Sequence, residues 1–158
     1  MSRMSRGEMF MKIAHIVARR GTCDRAKVGA VISHKGRIIS IGYNGSKPGE
    51  PHCDDIGHDL VEGHCLRTIH AEVNAINFAE EILANTKEKL IVELFVTHLP
   101  CKKCCEYIAF INQTSSRVKI ESVIYGHIYP GNLTKMELSK RRMILLEGGV
   151  ETIGQLEV

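Results

Sequence analysis

The chain has 158 residues, of which 44% are hydrophobic and 25% are charged, and its net charge is +3. This length and composition predict a single soluble globular domain, residues 1–158, and exclude a disordered or fibrous chain. No apolar run approaches the roughly 20 residues of a membrane-spanning helix, and no secretion signal opens the sequence, so we expect a cytoplasmic protein. In that reducing compartment, six cysteines and eight histidines are expected to bind metal or catalyse rather than form disulfides.

The chain begins with a predicted helix and a predicted hairpin. Ser5 and Glu8 form a capping-box pattern, and apolar residues recur at helical spacing up to about Arg20. The segment KVGAVISHKGRIISIGYNG then contains two apolar strands joined by the tight turn SHKG. Residues 45–63 show neither periodicity and are predicted to form a long irregular loop, a kind of segment that is usually functional.

Helices and strands alternate in the rest of the chain. The pattern predicts a helix at about 70–83, a strand at 90–97, a helix after Pro100, a strand at 118–125, a helix at about 133–146 and a short strand at 150–153. Strands that alternate with helices after an opening hairpin predict an α/β fold, a three-layer α/β/α sandwich around a mixed five-stranded sheet.

Two short motifs lie where predicted helices begin. HAE at residues 70–72 opens one helix, and PCKKC at residues 100–104 follows an apolar strand and opens the next. His70, Cys101 and Cys104 would give a zinc ion three ligands and leave its fourth position open, which is typical of catalytic zinc. The positive end of each helix dipole would help to hold the cysteines as thiolates. Glu72 is then placed as a proton shuttle.

Each feature has an ordinary interpretation when it is taken alone. A histidine or glutamate at a helix start is usually a cap or a solvated side chain, and CxxC also occurs in redox motifs and zinc ribbons. Together and in this order they match the H-x-E…P-C-x-x-C signature of zinc nucleobase deaminases. The alternative is a non-catalytic zinc-binding module, but a structural site needs four ligands and gains nothing from Glu72.

The segments HAEVNAI and THLPCKKC resemble the cytidine and deoxycytidylate deaminase superfamily. KVGAVI, IISIGYNGSKPGEPHC and GHCLRTIHAEVNAI resemble its deoxycytidylate (dCMP) deaminases in particular. The resemblance implies a cytidine deaminase-like fold, zinc-dependent conversion of dCMP to dUMP and ammonia in dTTP-precursor synthesis, and homo-oligomers that are frequently hexamers. It also implies activation by dCTP and inhibition by dTTP, with Mg²⁺ accompanying the effector. Deaminases of free (deoxy)cytidine or of a base in RNA are the closest alternatives.

The resemblance also assigns roles to individual residues. Glu72 would protonate N3 of the cytosine ring and then assist the departure of ammonia. Asn44 resembles the asparagine that hydrogen-bonds the sugar, although YNG is also an ordinary turn sequence. Tyr129, with Tyr125 as the alternative, resembles the aromatic residue that stacks on the base, and Ala71 is a further substrate contact. The effector or nucleotide is expected at Gly42, Tyr43, Asn44 and Gly45.

Four more soft ligands flank the irregular loop. The dCMP deaminases with a second, structural zinc place ligands at positions that match four residues of this chain: Cys23, Cys53, His58 and Cys65. Such a zinc can supply folding energy to a loop that lacks a hydrophobic core. Many relatives have cysteine at His58, and His52 or His64 could replace it or Cys65. Cys23 and Cys65 could instead be small buried residues.

Two points stay open at the level of sequence. Cys105 is either a core thiol or a competitor of Cys104 for the metal. The phosphate of a nucleotide could contact any of five cations, and nothing in the sequence selects among them: Arg25, Lys27, Arg67, Lys102 and Lys103.

Overall fold

The centre of the fold is a mixed sheet. The structure is a computed structural model that describes residues 2–61, 64–128, 131 and 133–158. Its elements are, in chain order, α1 (Arg6–Ala18), β1 (Gly29–His34), β2 (Arg37–Tyr43), α2 (Cys53–Ile56), β3 (Leu60–Val61), β4 (His64–Cys65), α3 (Ala71–Ile82), β5 (Leu90–His98), α4 (Lys102–Thr114), β6 (Val118–His127), α5 (Lys135–Glu147) and β7 (Thr152–Gln155).

The strand order of the main sheet is β2-β1-β5-β6-β7. Strand β1 pairs antiparallel with β2 and β5, whereas β5 with β6 and β6 with β7 pair in parallel. The predicted α/β class and mixed five-stranded sheet are therefore confirmed. Strands β3 and β4 form a separate two-stranded sheet.

Helices cover both faces of the main sheet because the strands are apolar on both sides. On one face, α1 packs Phe10 and Met11 against Val31 of β1 and Phe95 of β5. On the other face, a larger cluster combines buried residues of α3, α4 and α5 with the alternate residues of the same strands, such as Leu94. This arrangement gives the three layers that the sequence predicts.

The irregular loop is the segment in which the structure differs most from the sequence-based prediction. Residues 45–63 contain the one-turn helix α2 and strand β3, so the prediction of a wholly irregular loop is wrong in these two places. Helix α5 begins at Lys135, because Thr134 and Glu137 form a capping box there, and β7 begins two residues later than predicted. None of the helices in the described ranges has the length and apolar character needed to cross a membrane.

Helix α3 lies unusually close to strand β2. A Cβ atom on Gly42 would lie 2.4 Å from the backbone oxygen of Ala71 and 2.4 Å from the backbone nitrogen of Ala75. The Ser40 hydroxyl donates a 2.7 Å hydrogen bond to the Ala75 carbonyl and fixes the same contact. Gly42 therefore sets the position of the first turn of α3.

Replacing Gly42 with alanine is expected to destabilise the fold by about 1–3 kcal/mol, because the added methyl group meets backbone atoms that cannot move independently. Urea unfolding followed by circular dichroism measures the change. The matched control is Gly7→Ala in α1, where the nearest atom to the new methyl group would be Leu156 Cδ2 at 3.4 Å. Equal stability of the two variants would contradict the assigned contact.

Candidate metal centre and active site

Three potential metal ligands converge where two helices begin. His70 is the N-cap of α3, Cys101 is the N-cap of α4, and Cys104 lies in the first turn of α4. The Nδ1 atom of His70 lies 3.5 Å from the Cys101 sulfur and 3.3 Å from the Cys104 sulfur. Tetrahedral bonds of about 2.0–2.3 Å to zinc separate neighbouring ligand atoms by roughly 3.5 Å. The donor set and its spacing thus fit zinc.

The local backbone leaves these side chains available for a metal. His70 and Cys101 both have extended backbone conformations, and neither side chain caps its own helix. The segment that leads into α3 is held by two backbone hydrogen bonds between Gly45 and Ile69, of 3.1 and 2.9 Å. Two neighbours therefore fix the position of the imidazole: Gly45, which follows β2 and pairs with Ile69, and the first turn of α3, which His70 precedes.

Hydrogen bonding between the ligands distributes their protons unequally. A hydrogen bond from the Cys104 thiol is the main cause that lowers the pKa of Cys101 to about 3. The same hydrogen bond, together with burial, raises the pKa of Cys104, and the contact with Cys101 raises the pKa of His70. Metal binding requires deprotonated ligands, so a bound cation would displace the protons that Cys104 and His70 hold in this arrangement.

Glu72 lies beside this group without belonging to it. Its side chain is only 4% exposed in the first turn of α3, and burial raises the pKa of its carboxyl group. A carboxyl group whose pKa is raised by burial holds a proton more readily than an exposed one, so it can donate a proton as well as accept one. The geometry therefore suits the proton shuttle that the sequence predicts.

A cavity of about 410 Å³ opens onto the metal ligands. This volume falls within the usual range of small-molecule sites. Its described walls include eight of the residues singled out from the sequence: Cys23, Arg25, Asn44, Cys65, His70, Ala71, Glu72 and Cys101. They also include residues that the sequence did not indicate: His98, Leu99, Leu133, Glu137 and Arg141.

A second ligand group adjoins the same cavity. The sulfur of Cys23 lies 3.5 Å from Nδ1 of His58, and the sulfurs of Cys53 and Cys65 lie 3.4 Å apart. All four ligand atoms lie within 4.8 Å of one another, which fits a closed four-ligand zinc site. The other ring nitrogen of His58 lies 2.8 Å from the Asp24 carboxylate, a contact that orients the imidazole towards a metal.

Comparison with known proteins identifies the family. Residues 4–125 match the cytidine and deoxycytidylate deaminase zinc-binding region. The chain belongs to this deaminase family. The match agrees with zinc as the cofactor, and it confirms the superfamily that the motifs indicate.

Individual relatives extend the match over nearly the whole deaminase domain. ComE operon protein 2 of Bacillus subtilis is 37% identical over 147 residues, covering 93% of this chain and 72% of the relative. The deoxycytidylate deaminase of Enterobacteria phage T2 is 30% identical, covering 77% of this chain and 80% of the relative. The crystal structure of dCMP deaminase from cyanophage S-TIM5 in complex with dCMP and dUMP is 27% identical, with a TM-score of 0.68 and coverage of 98% and 99%.

Asn44 helps to build the cavity wall of the deaminase domain. Its side chain is 5% exposed, its Oδ1 accepts a 2.7 Å hydrogen bond from the Val28 N–H, and its Nδ2 donates one of 2.5 Å to the Ala26 carbonyl. An amide group has a second N–H and a second acceptor site, which leaves capacity for a ligand. The sugar contact of Asn44 stays a prediction.

The other expected contacts have different surroundings. Gly42, Tyr43 and Gly45 are not part of the described cavity walls, and Gly42 is buried against α3. The effector role of this segment stays a prediction. Tyr129 lies outside the described residues, and its alternative, Tyr125, is partly buried against the core.

The alternatives for the metal ligands can be compared with the described geometry. His52 is an exposed N-cap of α2 and is absent from the described four-ligand group, whereas the side chain of His64 lies outside the described part of the chain. Cys105 is fully buried, its thiol lies 3.6 Å from the Pro100 carbonyl oxygen, and burial raises its pKa to about 12. Cys105 is therefore a core thiol in this structure.

Three histidines form a cluster between α1 and the ends of β5 and β6. The His127 ring lies 5.5 Å from that of His15 and 5.9 Å from that of His98. Burial, and then the proximity of His127, lower the pKa of His15. Burial, and then the proximity of His127 and His15, lower the pKa of His98, whose side chain also lines the cavity.

This cluster predicts acid sensitivity of the deaminase fold. Because the folded-state pKa values of His15 and His98 lie below the ordinary 6.5, the unfolded chain binds more protons as the pH falls below 6.5. Stability is then fully present above pH 6.5 and decreases as the pH falls. Urea midpoints measured from pH 8 to pH 5 should show this decrease, and His15→Gln should reduce it. Identical pH profiles of His15→Gln and of the exposed-site control His52→Gln would contradict this account.

Proposed function

We propose that the protein is a zinc-dependent hydrolase that converts dCMP to dUMP and ammonia. The observation that carries the proposal is the buried carboxyl group of Glu72 beside the His70, Cys101 and Cys104 group, at a cavity of about 410 Å³. Relatives named deoxycytidylate deaminase support the substrate, as does the related cyanophage enzyme whose structure holds dCMP and dUMP.

Each side chain of the site has its own proposed role in the reaction. His70, Cys101 and Cys104 would hold zinc, which supplies a nucleophile by lowering the pKa of a bound water from 15.7 to about 7. Glu72 would accept a proton from the attacking water and would deliver it to N3 of the cytosine ring. It then assists the transfer of a proton to the departing amino group, so one carboxyl group acts as base and then as acid. Asn44 and Ala71 are proposed to orient the sugar and base, and the proposed stacking of Tyr129 on the base rests on the sequence resemblance alone.

The second ligand group is proposed to bind a structural zinc through Cys23, Cys53, His58 and Cys65. Its support is the mutual distance of the four ligand atoms and the His58–Asp24 contact. A four-ligand site has no open position for water, so this zinc would order the segment around α2 rather than catalyse.

The regulatory part of the proposal follows the sequence resemblance. The enzyme is proposed to act as a single domain in a cytoplasmic homo-oligomer, a hexamer by resemblance. It would be activated by dCTP and inhibited by dTTP, with Mg²⁺ accompanying the effector near the segment from Gly42 to Gly45. The proposed role is the supply of dUMP for dTTP synthesis.

A substrate panel tests the proposed function. The loss of cytosine absorbance is followed with dCMP, deoxycytidine and CMP, each with and without dCTP and Mg²⁺. The proposal expects the highest kcat/KM for dCMP, with a further increase on addition of dCTP. Preference for deoxycytidine would indicate a nucleoside deaminase, and no reaction with any of the three by the zinc-loaded protein would refute the proposal and favour a base in RNA or a non-catalytic module.

A further inference from the structure

Arg141 is a cavity residue that no sequence motif indicated. It lies on α5 one turn after Glu137, and both side chains line the cavity that contains His70 and Glu72. Its side chain is half-buried, whereas the neighbouring Arg142 is exposed. Arg141 therefore presents a positive charge to the same space in which the metal ligands and the proton shuttle lie.

One hydrogen bond orients the guanidinium group. Nη1 of Arg141 donates a 3.3 Å hydrogen bond to the Pro100 carbonyl oxygen, directly before the metal ligand Cys101. A guanidinium group has five N–H donors in a planar fork, and this bond uses one of them. The remaining donors suit two oxygens of a phosphate, and a side chain that is already oriented loses less freedom when it binds a ligand.

Within the described part of the chain, Arg141 forms no close ion pair with an acidic side chain. The ion pairs found there all involve other side chains. Glu137 is the acidic residue closest along the helix, and its carboxylate accepts hydrogen bonds from the backbone N–H and the hydroxyl of Thr134, at 2.9 and 3.1 Å. The Glu137 carboxylate is held by Thr134 as the cap of α5; its charge also interacts with that of Arg141, but no hydrogen bond between the two occupies the guanidinium N–H groups in the described part of the chain.

The cations considered from the sequence are placed differently. Lys27 lies 3.7 Å from Asp54, and Lys102 lies 3.7 Å from Glu106. Neither of these lysines, nor Arg67 or Lys103, belongs to the described cavity walls, whereas Arg25 does. The structure therefore selects Arg25 from the original set and adds Arg141 from a segment more than 100 residues later in the chain.

We propose that Arg141 binds the phosphate of the substrate and makes the enzyme select a nucleotide over its nucleoside. This assignment rests on the proposed deamination of dCMP and names a group that distinguishes dCMP from deoxycytidine. Because deoxycytidine lacks the phosphate, the contribution of Arg141 is present with dCMP alone. A role limited to holding the Pro100 turn would affect both substrates equally.

The test compares Arg141→Gln and Arg141→Lys with the control Arg142→Gln, which lies one residue further on the exposed side of α5. Steady-state kinetics are measured with dCMP and with deoxycytidine, and zinc content is measured for each protein. Binding of dUMP and of deoxyuridine is measured by calorimetry. Both are uracil compounds without the amino group, so the enzyme does not convert them during the measurement.

Arg141→Gln is expected to raise KM for dCMP and Kd for dUMP by roughly 10- to 100-fold, as is usual for loss of a hydrogen bond to a charged group. Its values for deoxycytidine and deoxyuridine, and its zinc content, should match those of Arg142→Gln, and Arg141→Lys should be intermediate. Equal losses for nucleotide and nucleoside, or no loss for either, would overturn the assignment. If the wild type deaminates no cytosine compound, the proposed function fails, yet selective weakening of dUMP binding would still support the phosphate site.

Discussion

Glu72→Gln is expected to lower kcat for dCMP by roughly 100- to 10,000-fold, the usual contribution of a general acid–base group. Glutamine has nearly the same shape but cannot carry the proton from water to the ring or to the departing amino group. Because Glu72 is not one of the three metal ligands, zinc content and the circular dichroism spectrum should remain those of the wild type. Stopped-flow or steady-state absorbance with dCMP measures the change.

The matched control is Glu81→Gln, which removes an exposed carboxyl group from the same helix. That variant should retain the kcat, the KM and the zinc content of the wild type. Turnover by Glu72→Gln close to that of Glu81→Gln would contradict the role of Glu72. A parallel loss of zinc and activity in Glu72→Gln would instead make it a structural support of the metal centre.

Cys53→Ala is expected to remove one zinc ion per chain and to destabilise the protein by more than about 4 kcal/mol, a range that loss of a metal site can reach. Three ligands of this group, Cys53, His58 and Cys65, lie in the segment around α2, and the fourth, Cys23, comes from a separate segment before β1. The surrounding segment has few regular elements, and Ile56, Leu60 and Val61 within it are exposed. Metal binding must therefore supply much of its folding energy.

Cys105→Ala provides the control because Cys105 is a buried cysteine outside both ligand groups. It should keep both zinc ions and lose about 1 kcal/mol, the usual effect of a point substitution. Metal analysis by mass spectrometry and urea unfolding distinguish the two variants. An unchanged zinc-to-protein ratio in Cys53→Ala would eliminate the second site.

The parts of the fold that follow from local patterns could be predicted from sequence. The apolar strands β1, β5 and β6 and the capping box of α1 have signals that lie within a few residues of one another. Thr134 and Glu137 carry the same capping signal, which could have located the start of α5. Helix α2 and the β3–β4 pair could not be predicted, because four-residue and two-residue elements have no measurable periodicity.

The residues of the candidate site also fall into two groups, those that a local sequence pattern predicts and those that only the packing of the fold brings to the cavity. Two compact motifs contain His70, Glu72, Cys101 and Cys104. The spacing within these motifs was enough to predict from the sequence that the four residues share one site. Arg141 and His98 reach the cavity only through the packing of α5 and β5, and neither lies in a pattern that carries chemistry. The second ligand group was indicated by resemblance, since its four members are too widely spaced for any short motif.

Zinc-dependent production of dUMP is the measurement that tests the central claim most directly. The purified protein is stripped of metal with a chelator and then reloaded with zinc, and dUMP and ammonia formed from dCMP are quantified in each state. The account predicts equal amounts of dUMP and ammonia from the loaded protein, loss of turnover on removal of zinc and recovery on its return. Formation of dUMP at an unchanged rate by the metal-free protein, or none by the loaded protein, would contradict it.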